Sequence, residues 1–438
     1  MLKIDKTANI KLFFSEIFDS IISMTEYKKR IIDKQIEQKL TALGGILLEG
    51  ARGVGKSTTA KHYAASYVSL DQSPQSLDAA RIIPKNVLQG DTPRVIDEWQ
   101  LAPELWNTAR NEIDTRNAKG QFILTGSSSP TDNITHHSGA GRFGRVRMRP
   151  MSLSEMGKST NQVSFSNLFE KGFNPSGNSG LSISEFAETL VIGGMPAIFY
   201  SSEKNAHIFY EEYIRNITKV ELKDAGFNSD PVRVRALINA LARNISTQAS
   251  LETLAKESEI EIDVTTKTIR KYLDRLTQIF LLEELPVWKT HIRSSAQIRI
   301  KPKWHFMDPA IAVAALGVNS KALLNDLETF GLFFESMVLR DIRTYAEAIG
   351  ADTFFYKDSS ELEVDIIVQL SNGKWAAFEV KVGGEHNIKK AEDNLNKLKK
   401  SVHKRKLEDL TSLNIITGGE YSYTNSNGIN IISIGHLC

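Results

Sequence analysis

The chain has 438 residues, of which 41% are hydrophobic and 24% charged, a composition typical of a globular protein with two to four domains. Lysine and arginine total 54 and aspartate and glutamate 52, so the overall charge neither requires nor excludes a nucleic-acid partner. The single cysteine, Cys438, excludes an intrachain disulfide and a cysteine-rich zinc site.

The N-terminal sequence MLKIDKTANIKLFF lacks the apolar core and the cleavage site of a signal peptide. No stretch approaches about 18 uninterrupted apolar residues, the length of a membrane span. Together with the cysteine content, these features predict a cytoplasmic protein without a membrane partner. Residues 1–37 are predicted to form an N-terminal helical segment.

A phosphate-binding loop is predicted after a short apolar strand at residues 46–48. The segment GARGVGKST fits the pattern G-x-x-x-x-G-K-[ST], whose glycines turn backbone N–H groups toward a phosphate. Lys56 would reach the β- and γ-phosphates, Ser57 would bind Mg²⁺, and the next helix would direct its positive end at the same anion. A glycine-rich turn that binds nothing is the alternative. The predicted nucleotide-binding residues are Gly50, Ala51, Arg52, Gly53, Val54, Gly55, Lys56, Ser57 and Thr58.

A P-loop nucleotide site also needs acidic residues that hold Mg²⁺ and orient water. Asp97 and Glu98 follow an apolar pair, so Asp97 is predicted to support Mg²⁺ and Glu98 to polarise the attacking water. The next strand, at 121–128, would bring Thr125 or Ser127 beside the γ-phosphate. The alternative is a strand that ends in solvated acids. The chain has no N-K-x-D guanine signature, so ATP is preferred over GTP, and the ATPase core is predicted at 38–150.

Arginines are concentrated in the segment GRFGRVRMRP at residues 141–150. An arginine finger stabilises the charge that spreads over a phosphoryl group during its transfer. Arg142 and Arg145 are the predicted candidates, acting in their own chain or in a neighbouring subunit. The alternative is that these arginines pair with acids of the core or lie on the surface.

Two further regions are predicted in the middle of the chain. Residues 151–226 are predicted to form a small helical lid. Residues 227–305 show a winged helix-turn-helix pattern, with two short helices followed by wing strands at 281–287 and 298–304.

The second helix of the winged pattern is amphipathic. Its predicted inner face consists of Ile269, Leu273 and Leu276. Its outer face carries the predicted nucleic-acid contacts Lys267, Arg270 and Lys271. The alternative is a domain that only packs between its neighbours.

The segment EVDIIVQLSNGKWAAFEVKVGG at 363–384 predicts a β-hairpin with unusual polar residues. Asp365 lies on its first strand, and Glu379 and Lys381 share one face of the second because strand side chains alternate. A helix that carries Glu335 precedes the hairpin, and a basic helix follows it. This order of elements is that of the PD-(D/E)XK nuclease core, where carboxylates hold Mg²⁺ beside the scissile phosphate and a lysine activates water.

Asp365, Glu379 and Glu335 are therefore the predicted metal ligands of this hairpin, and Lys381 is its predicted catalytic lysine. Two alternatives remain open. In the first, the hairpin is solvated and the spacing of its polar residues is accidental. In the second, the domain binds phosphate or has only a structural role, and it does not cut nucleic acid.

The chain resembles a family of bacterial and archaeal AAA-type P-loop ATPases that end in a nuclease-like domain of unknown function. The landmarks occur in family order from about residue 25 to 385 and are GARGVGKSTTA, VIDEWQ, FILTGSS, GAGRFGRVRMRPMSLSE, GGMP, WHFMDPAI, FESMV, ELEVDIIV and AFEVKVG. Lys357 stands where the family more often has arginine, and Asp308 matches a position interpreted as structural. The resemblance implies an α/β fold: an AAA-type ATPase core, a helical lid, a winged helix-turn-helix and a restriction-endonuclease-like domain at 306–438.

The resemblance implies ATP and Mg²⁺ as cofactors, with a second Mg²⁺ or Mn²⁺ in the C-terminal domain. In the first functional hypothesis, the ATPase cycle controls a C-terminal nuclease-like domain that acts on nucleic acid, with DNA favoured. In the second, the protein is an ATP-switched regulator that binds nucleic acid or protein and cuts nothing. A homo-oligomer is compatible with both.

Overall fold

The computed structural model describes residues 27–127, 139–178, 180–222, 227, 230–258, 266–289 and 300–438. Parts of four predicted segments lie outside these residues: 1–26 of the N-terminal segment, 128–138 of the ATPase core, 179 and 223–226 of the lid, and 228–229, 259–265 and 290–299 of the winged region. Among the described residues, no helix combines the length and the apolar character that a membrane span needs.

Within the described residues, the first sheet has five parallel strands in the order β2-β3-β4-β1-β5. The elements of this region are β1 (Gly45–Glu49), β2 (Ser66–Ser69), β3 (Arg94–Asp97), β4 (Phe122–Gly126), β5 (Phe143–Arg147), α1 (Asp33–Ala42), α2 (Lys56–Tyr63), α3 (Pro74–Ile82), α4 (Pro84–Val87), the 3₁₀ turn Trp99–Leu101 and α5 (Glu104–Arg116). β1 and β4 are buried along their whole length, as expected for parallel strands covered on both faces. Since the carboxyl ends of parallel strands meet at one edge, the loop after β1 lies beside the ends of β3 and β4.

The second sheet has seven strands within the described residues, in the order β6-β13-β14-β12-β11-β10-β9. The strands of the rest of the chain are β6 (Gly177–Asn178), β7 (Leu282–Leu285), β8 (Lys303–Phe306), β9 (Ala351–Lys357), β10 (Glu363–Leu370), β11 (Trp375–Lys381), β12 (Leu410–Thr417), β13 (Tyr421–Thr424) and β14 (Asn430–Ser433). β7 and β8 form a separate antiparallel hairpin.

The helices of this larger part follow in chain order. They are the 3₁₀ helix Phe165–Phe169, α6 (Ile183–Ile192), α7 (Glu203–Asn216), the π-helical turn Ile217–Glu221, α8 (Pro231–Arg243), α9 (Leu251–Glu257), α10 (Thr266–Gln278), α11 (Pro309–Leu316), α12 (Ser320–Asn325), α13 (Leu327–Ala348), α14 (Glu385–Ser401), α15 (Lys404–Glu408) and the 3₁₀ turn Ile434–His436.

The C-terminal part runs as one helix, three strands, a helix and a strand. After α13, strands β9, β10 and β11 pair antiparallel, and α14 crosses over so that β12 lies parallel to β11. Buried side chains of α13 belong to the cluster on one face of the sheet, and those of α14 to the cluster on the other face. This is the order of elements predicted around the hairpin.

Residues 151–178 differ from the predicted helical lid, because they pack on the second sheet. β6 pairs with β13, and Val163 forms a β-bridge with Leu437. The Phe165 ring stacks on Phe378 of β11, with ring centroids 5.8 Å apart. The segment is rich in serine, asparagine and glycine, so it has little helical tendency, and its apolar residues are buried against another part of the chain. The α-helices of the predicted lid therefore begin at α6, and residues 151–178 carry one short 3₁₀ helix, Phe165–Phe169.

The predicted domain boundary at residue 306 falls on the last residue of β8, and α11 packs against α6, α7 and α8. α11 is apolar on all sides, so it needs helices around it. Asp308 caps α11 at the Ala310 N–H (3.1 Å), accepts the Gly194 N–H at 2.6 Å and lies 3.6 Å from Arg340 of α13. These contacts agree with a structural role for Asp308.

The hairpin after α10 joins the region of the predicted winged helix to the C-terminal sheet. The predicted inner face of α10 is buried, namely Ile269, Leu273 and Leu276. Val287 forms a β-bridge with Phe355 of β9, and the Trp288 N–H donates to the Phe355 carbonyl at 2.6 Å. The hairpin therefore lies along the edge of the second sheet.

A buried carboxylate ties three regions together. Glu283 of β7 accepts Arg147 at 3.1 Å, Arg149 at 3.0 Å and Arg343 of α13 at 2.7 Å. Burial opposes the ionisation of Glu283, yet the charges of these arginines hold its pKa far below the usual range. Removing one member of a buried charge cluster typically costs about 3–5 kcal/mol. This cluster therefore holds the first sheet, the β7–β8 hairpin and α13 in one arrangement.

Candidate functional site

The loop between β1 and α2 has the backbone that the phosphate-loop pattern requires. Gly53 and Gly55 have φ values of 83° and 98°, in the left-handed region that favours glycine. A Cβ on Gly50 would lie 2.2 Å from the Met148 carbonyl oxygen, so this position has no room for a side chain. Lys56 is 5% exposed and donates to the Gly50 carbonyl at 2.9 Å. Its ammonium group therefore lies within the loop, where a phosphate would be bound.

Ser57, Asp97 and Thr125 meet at the carboxyl edge of the first sheet. The hydroxyl groups of Ser57, at 3.0 Å, and of Thr125 donate to the same oxygen of Asp97. Tyr67 of β2 donates to the other oxygen at 2.6 Å. A serine hydroxyl beside a carboxylate is the arrangement in which P-loop proteins hold Mg²⁺, so these residues fit the ion that accompanies a nucleoside triphosphate.

Glu98 has an unusual backbone conformation. Its φ is 57°, in the left-handed region that non-glycine residues rarely adopt and that is concentrated at functional sites. Its N–H donates to Thr125 at 3.3 Å, and its carboxylate accepts from Ser127 at 3.3 Å and from Gln100. The two carboxylates therefore accept from different side chains, although Thr125 contacts both residues, and their separate roles stay predictions.

Side chains from outside the core cover the loop. Arg30 donates to the Val54 carbonyl at 3.0 Å and pairs with Glu155 at 2.9 Å, and both side chains are buried. Met195 and Pro196 of the GGMP segment would be in contact with side chains placed on the loop glycines. The sequence did not identify Arg30, since no local pattern connects it to partners so far along the chain.

The two predicted arginine fingers have different positions. The Arg142 carbonyl accepts the Gly45 N–H, at the end of β1 opposite the P-loop, and its side chain pairs with Asp114 at 2.9 Å. A five-residue strand is about 13 Å long, so Arg142 cannot reach a nucleotide in its own chain. Arg145 is half exposed and pairs with Glu49 at 2.8 Å. A finger role stays a prediction for both: for Arg142 in a neighbouring subunit, and for Arg145 in its own chain or in a neighbouring subunit.

The C-terminal hairpin brings Asp365, Glu379 and Lys381 together. The Lys381 ammonium lies 2.7 Å from Glu379 and 3.2 Å from Asp365, and Asp365 also accepts the Val380 N–H at 2.8 Å. The pairing of β10 with β9 is irregular between residues 364 and 367, a local bulge of the kind that re-aims a side chain. Asn394 of α14 donates to Glu379 at 3.3 Å. Asp365, Glu379 and Lys381, which the sequence pattern grouped into one predicted site, are therefore in contact in the structure.

A second lysine enters this cluster from a different region. Lys303 of β8 is 2% exposed, and its ammonium lies 2.7 Å from Glu363 of β10 and 3.1 Å from Glu335 of α13. The sequence did not identify Lys303, because Lys303 was assigned to a wing strand with no predicted contact to the C-terminal hairpin. The available signal was the alternation K-W-H-F, which places Lys303 and His305 on one strand face.

The charges of the cluster are already balanced. Burial raises the pKa of Glu335 to about 7, although Lys303 opposes this shift. Burial and the charge of Asp365 raise the pKa of Glu379 to about 8. For Asp365, burial opposes ionisation, but Lys381 and Lys303 hold its pKa below the usual value. Lys303 and Lys381 thus favour the ionised form of Asp365, whereas burial disfavours ionisation of Glu335 and Glu379.

The predicted metal ligands are paired with lysines, and metal binding by them stays a prediction. One oxygen each of Glu335, Asp365 and Glu379 accepts an ammonium group. Across the described residues, no three His, Cys, Asp or Glu side chains converge as a metal site requires.

The predicted nucleic-acid residues of α10 are exposed. Arg270 pairs with Asp274 at 3.0 Å and with Glu284 at 3.3 Å, whereas Lys267 and Lys271 extend from the helix surface. The geometry therefore leaves two of the three cations accessible to an external anion.

The parallel sheet, the loop glycines and the Ser57–Asp97 contact define a P-loop nucleotide-binding domain. Residues 44–157 match the family model described as AAA domain, so the chain contains a P-loop ATPase domain of the AAA type. Residues 183–322 match a model described as domain of unknown function DUF8612, and residues 330–437 match domain of unknown function DUF4143.

The chain is similar to two mycobacterial proteins, "Uncharacterized protein Rv2008c" of Mycobacterium tuberculosis and "Uncharacterized protein Mb2031c" of Mycobacterium bovis. Each is 24% identical over 367 residues, which cover 82% of this chain and 75% of the relative. Among solved structures, the Walker-type ATPase PABY2304 of Pyrococcus abyssi is 12% identical, with 66% of this chain and 96% of that chain covered and a TM-score of 0.41. A DNA replication initiation factor is 12% identical, with 56% and 87% covered and a TM-score of 0.23.

Proposed function

We propose that the chain is an Mg²⁺-dependent ATPase whose nucleotide cycle controls a nuclease-like C-terminal domain that acts on nucleic acid. The observation that carries the ATPase part is the contact of Ser57 with Asp97 beside a buried Lys56. The neighbouring Glu98 carboxylate accepts instead from Ser127. In this proposal Lys56 binds the β- and γ-phosphates, Ser57 and Asp97 hold Mg²⁺, and Glu98 orients the attacking water.

Lys56→Ala is expected to weaken MgATP binding about 100-fold or more. Without the ammonium group the phosphates keep only neutral backbone donors, which are weaker partners of a charged oxygen than a lysine is. Isothermal titration with ATP and Mg²⁺ measures the change. Lys61→Ala is the matched control, because Lys61 lies one turn further along α2 and stacks on Tyr67 instead. Equal affinity in Lys56→Ala and the wild type would contradict the P-loop assignment.

The C-terminal part of the proposal is supported by the order of elements from α13 to β12 and by the contacts of Asp365, Glu379 and Lys381. The second candidate function is an ATP-switched regulator whose nuclease-like domain binds nucleic acid without cutting it. The position of Lys303 favours this candidate, because Lys303 neutralises carboxylates that a cutting site would use for a metal ion.

The regulator therefore predicts that the wild-type protein hydrolyses ATP and leaves plasmid and single-stranded DNA intact, whereas a cutting domain predicts cleavage. The measurement is gel analysis after incubation with Mg²⁺ or Mn²⁺, with and without ATP. Asp365→Asn distinguishes the two candidates, since it alters the C-terminal cluster and leaves the P-loop untouched. Cleavage that disappears in Asp365→Asn while ATP hydrolysis continues would establish the nuclease and reject the non-cutting regulator.

A further inference from the structure

A basic groove adjoins the C-terminal cluster. It has a volume of about 550 Å³ and lies between α14 and the turn that leads from β9 into β10. Lys390, Lys397 and Lys400 line its helical wall, and Glu361 and Glu363 line the opposite wall. Asn394, also in this groove, donates to Glu379 at 3.3 Å. The groove therefore leads to the carboxylates of the hairpin.

The three groove lysines differ from the other lysines near this site. Lys303, Lys357 and Lys381 all form ion pairs with carboxylates. By contrast, the ammonium groups of Lys390, Lys397 and Lys400 form no hydrogen bond or ion pair within the described part of the chain, and all three side chains are exposed. Three unpaired cations on one wall are free to bind an external anion.

The spacing of these lysines suits a row of phosphates. Lys390 and Lys397 are seven residues apart, two helical turns, so they lie on one face of α14. From Lys390 to Lys400 the helix rises about 15 Å. Consecutive phosphates of one strand in a duplex are separated by about 3.4 Å along the axis, so this wall faces roughly four of them.

We propose that the α14 groove binds the phosphate backbone of nucleic acid and delivers it to the C-terminal cluster. The groove contacts are lysine to phosphate, so binding is independent of base sequence. On the opposite wall Glu361 pairs with Lys357 and Glu363 with Lys303, so the lysines of α14 are the cations that this groove offers to a phosphate strand. This inference rests on the proposed nucleic-acid partner, and it moves the main contact from the exposed face of α10 to α14.

The test compares two double variants of the full chain that remove the same charge from the same helix. Lys390/Lys397→Ala removes groove lysines, and Lys389/Lys399→Ala removes exposed lysines outside the groove. Binding of a fluorescent 30-base-pair DNA duplex, a single strand and an RNA strand is measured by anisotropy across salt concentrations.

The groove variant is expected to bind the duplex about tenfold or more weakly at low salt. The slope of log affinity against log salt should fall by about 1.8, since each lost phosphate contact removes about 0.9. The Lys389/Lys399→Ala control should keep the wild-type slope, and Lys390/Lys397→Arg should restore binding because arginine also binds phosphate.

Three outcomes overturn the inference, and they differ in whether they also reject the proposed nucleic-acid partner. Equal slopes in the groove variant and the wild type reject the groove but leave the proposed nucleic-acid partner intact, and a Lys267/Lys271→Ala variant then tests α10. Binding of polyglutamate as tight as that of DNA shows a surface for acidic proteins instead. Absence of DNA and RNA binding by the wild type rejects the nucleic-acid part of the proposed function as well.

Discussion

Glu98→Gln is expected to slow ATP hydrolysis by about 10²- to 10⁴-fold while leaving ATP binding close to the wild-type value. The amide keeps the shape of the side chain and can still contact Ser127, which lies 3.3 Å from the Glu98 carboxylate. An amide cannot polarise or deprotonate water as a carboxylate does. Because the Glu98 carboxylate accepts from Ser127 and Gln100, which lie outside the P-loop, the phosphate contacts of the loop should survive.

Steady-state phosphate release and nucleotide titration measure the two effects separately. Glu104→Gln is the control, since Glu104 is exposed at the start of α5 and the change in charge is identical. Turnover in Glu98→Gln equal to that of the control would mean that another residue orients the water. A parallel loss of binding and turnover would instead indicate a structural role for Glu98.

Lys303→Met is expected to destabilise the protein by about 3–5 kcal/mol when no divalent ion is present. Methionine fills a similar volume, but it leaves the carboxylates of Glu335 and Glu363 without the ammonium group that lies 3.1 and 2.7 Å from them. Removal of the Lys303 ammonium group also leaves a position between carboxylates that a metal cation can occupy. We therefore expect Mn²⁺ or Mg²⁺ to raise the melting temperature of the variant and to leave that of the wild type unchanged.

The stability of Lys303→Met should also depend on pH in a defined direction. Burial already raises the pKa of Glu335 to about 7, and removal of Lys303 raises it further. A carboxyl group whose pKa is higher in the folded state than in the unfolded state loses stability as pH rises, because the unfolded chain releases its proton first. The variant should therefore be closer to the wild type at pH 5 than at pH 8.

Lys357→Met provides the matched control for both measurements. Lys357 lies at the rim of the same cluster, 3.7 Å from Glu363, and its side chain is 23% exposed, against 2% for Lys303. Partly exposed pairs contribute about 0–1 kcal/mol, so this control should melt near the wild type. If Mn²⁺ or Mg²⁺ raised the melting temperature of the wild type as much as that of Lys303→Met, the Lys303 ammonium group would not occupy the position of a metal ion.

The sequence predicted those parts of the sites that depend on local pattern. The P-loop is one contiguous segment, so the fixed spacing of its glycines and its lysine can be recognised in the sequence. Asp97 and Thr125 lie at the ends of neighbouring parallel strands, so strand order alone brings them together. Asp365 and Glu379 belong to one hairpin, in which alternation determines the shared face. All these groupings follow from short-range geometry.

The parts that were missed depend on contacts between distant segments. Lys303 and Glu363 are on strands of different sheets, and no period in the sequence relates them. Arg30 and Glu155 are separated by 125 positions. Residues 151–178 were included in the predicted lid, whereas their partners include β13 and Leu437 near the other end of the printed sequence. Tertiary packing decided each of these positions.

The pairing of residues 159–178 with strand β13 and the residues that follow β14 has a consequence for synthesis. Ser159 and the Leu437 carbonyl that it contacts are 278 positions apart. At translation rates of about 5–20 residues per second, Ser159 leaves the ribosome roughly 14 to 56 s before its partner does. Throughout that interval Val163, Phe165 and Leu168, all buried in the finished fold, lack part of their final neighbours. Completion of this packing must therefore wait until residues 421–437 have been made, and residues 159–178 are the part of the nascent chain that a chaperone would most usefully cover.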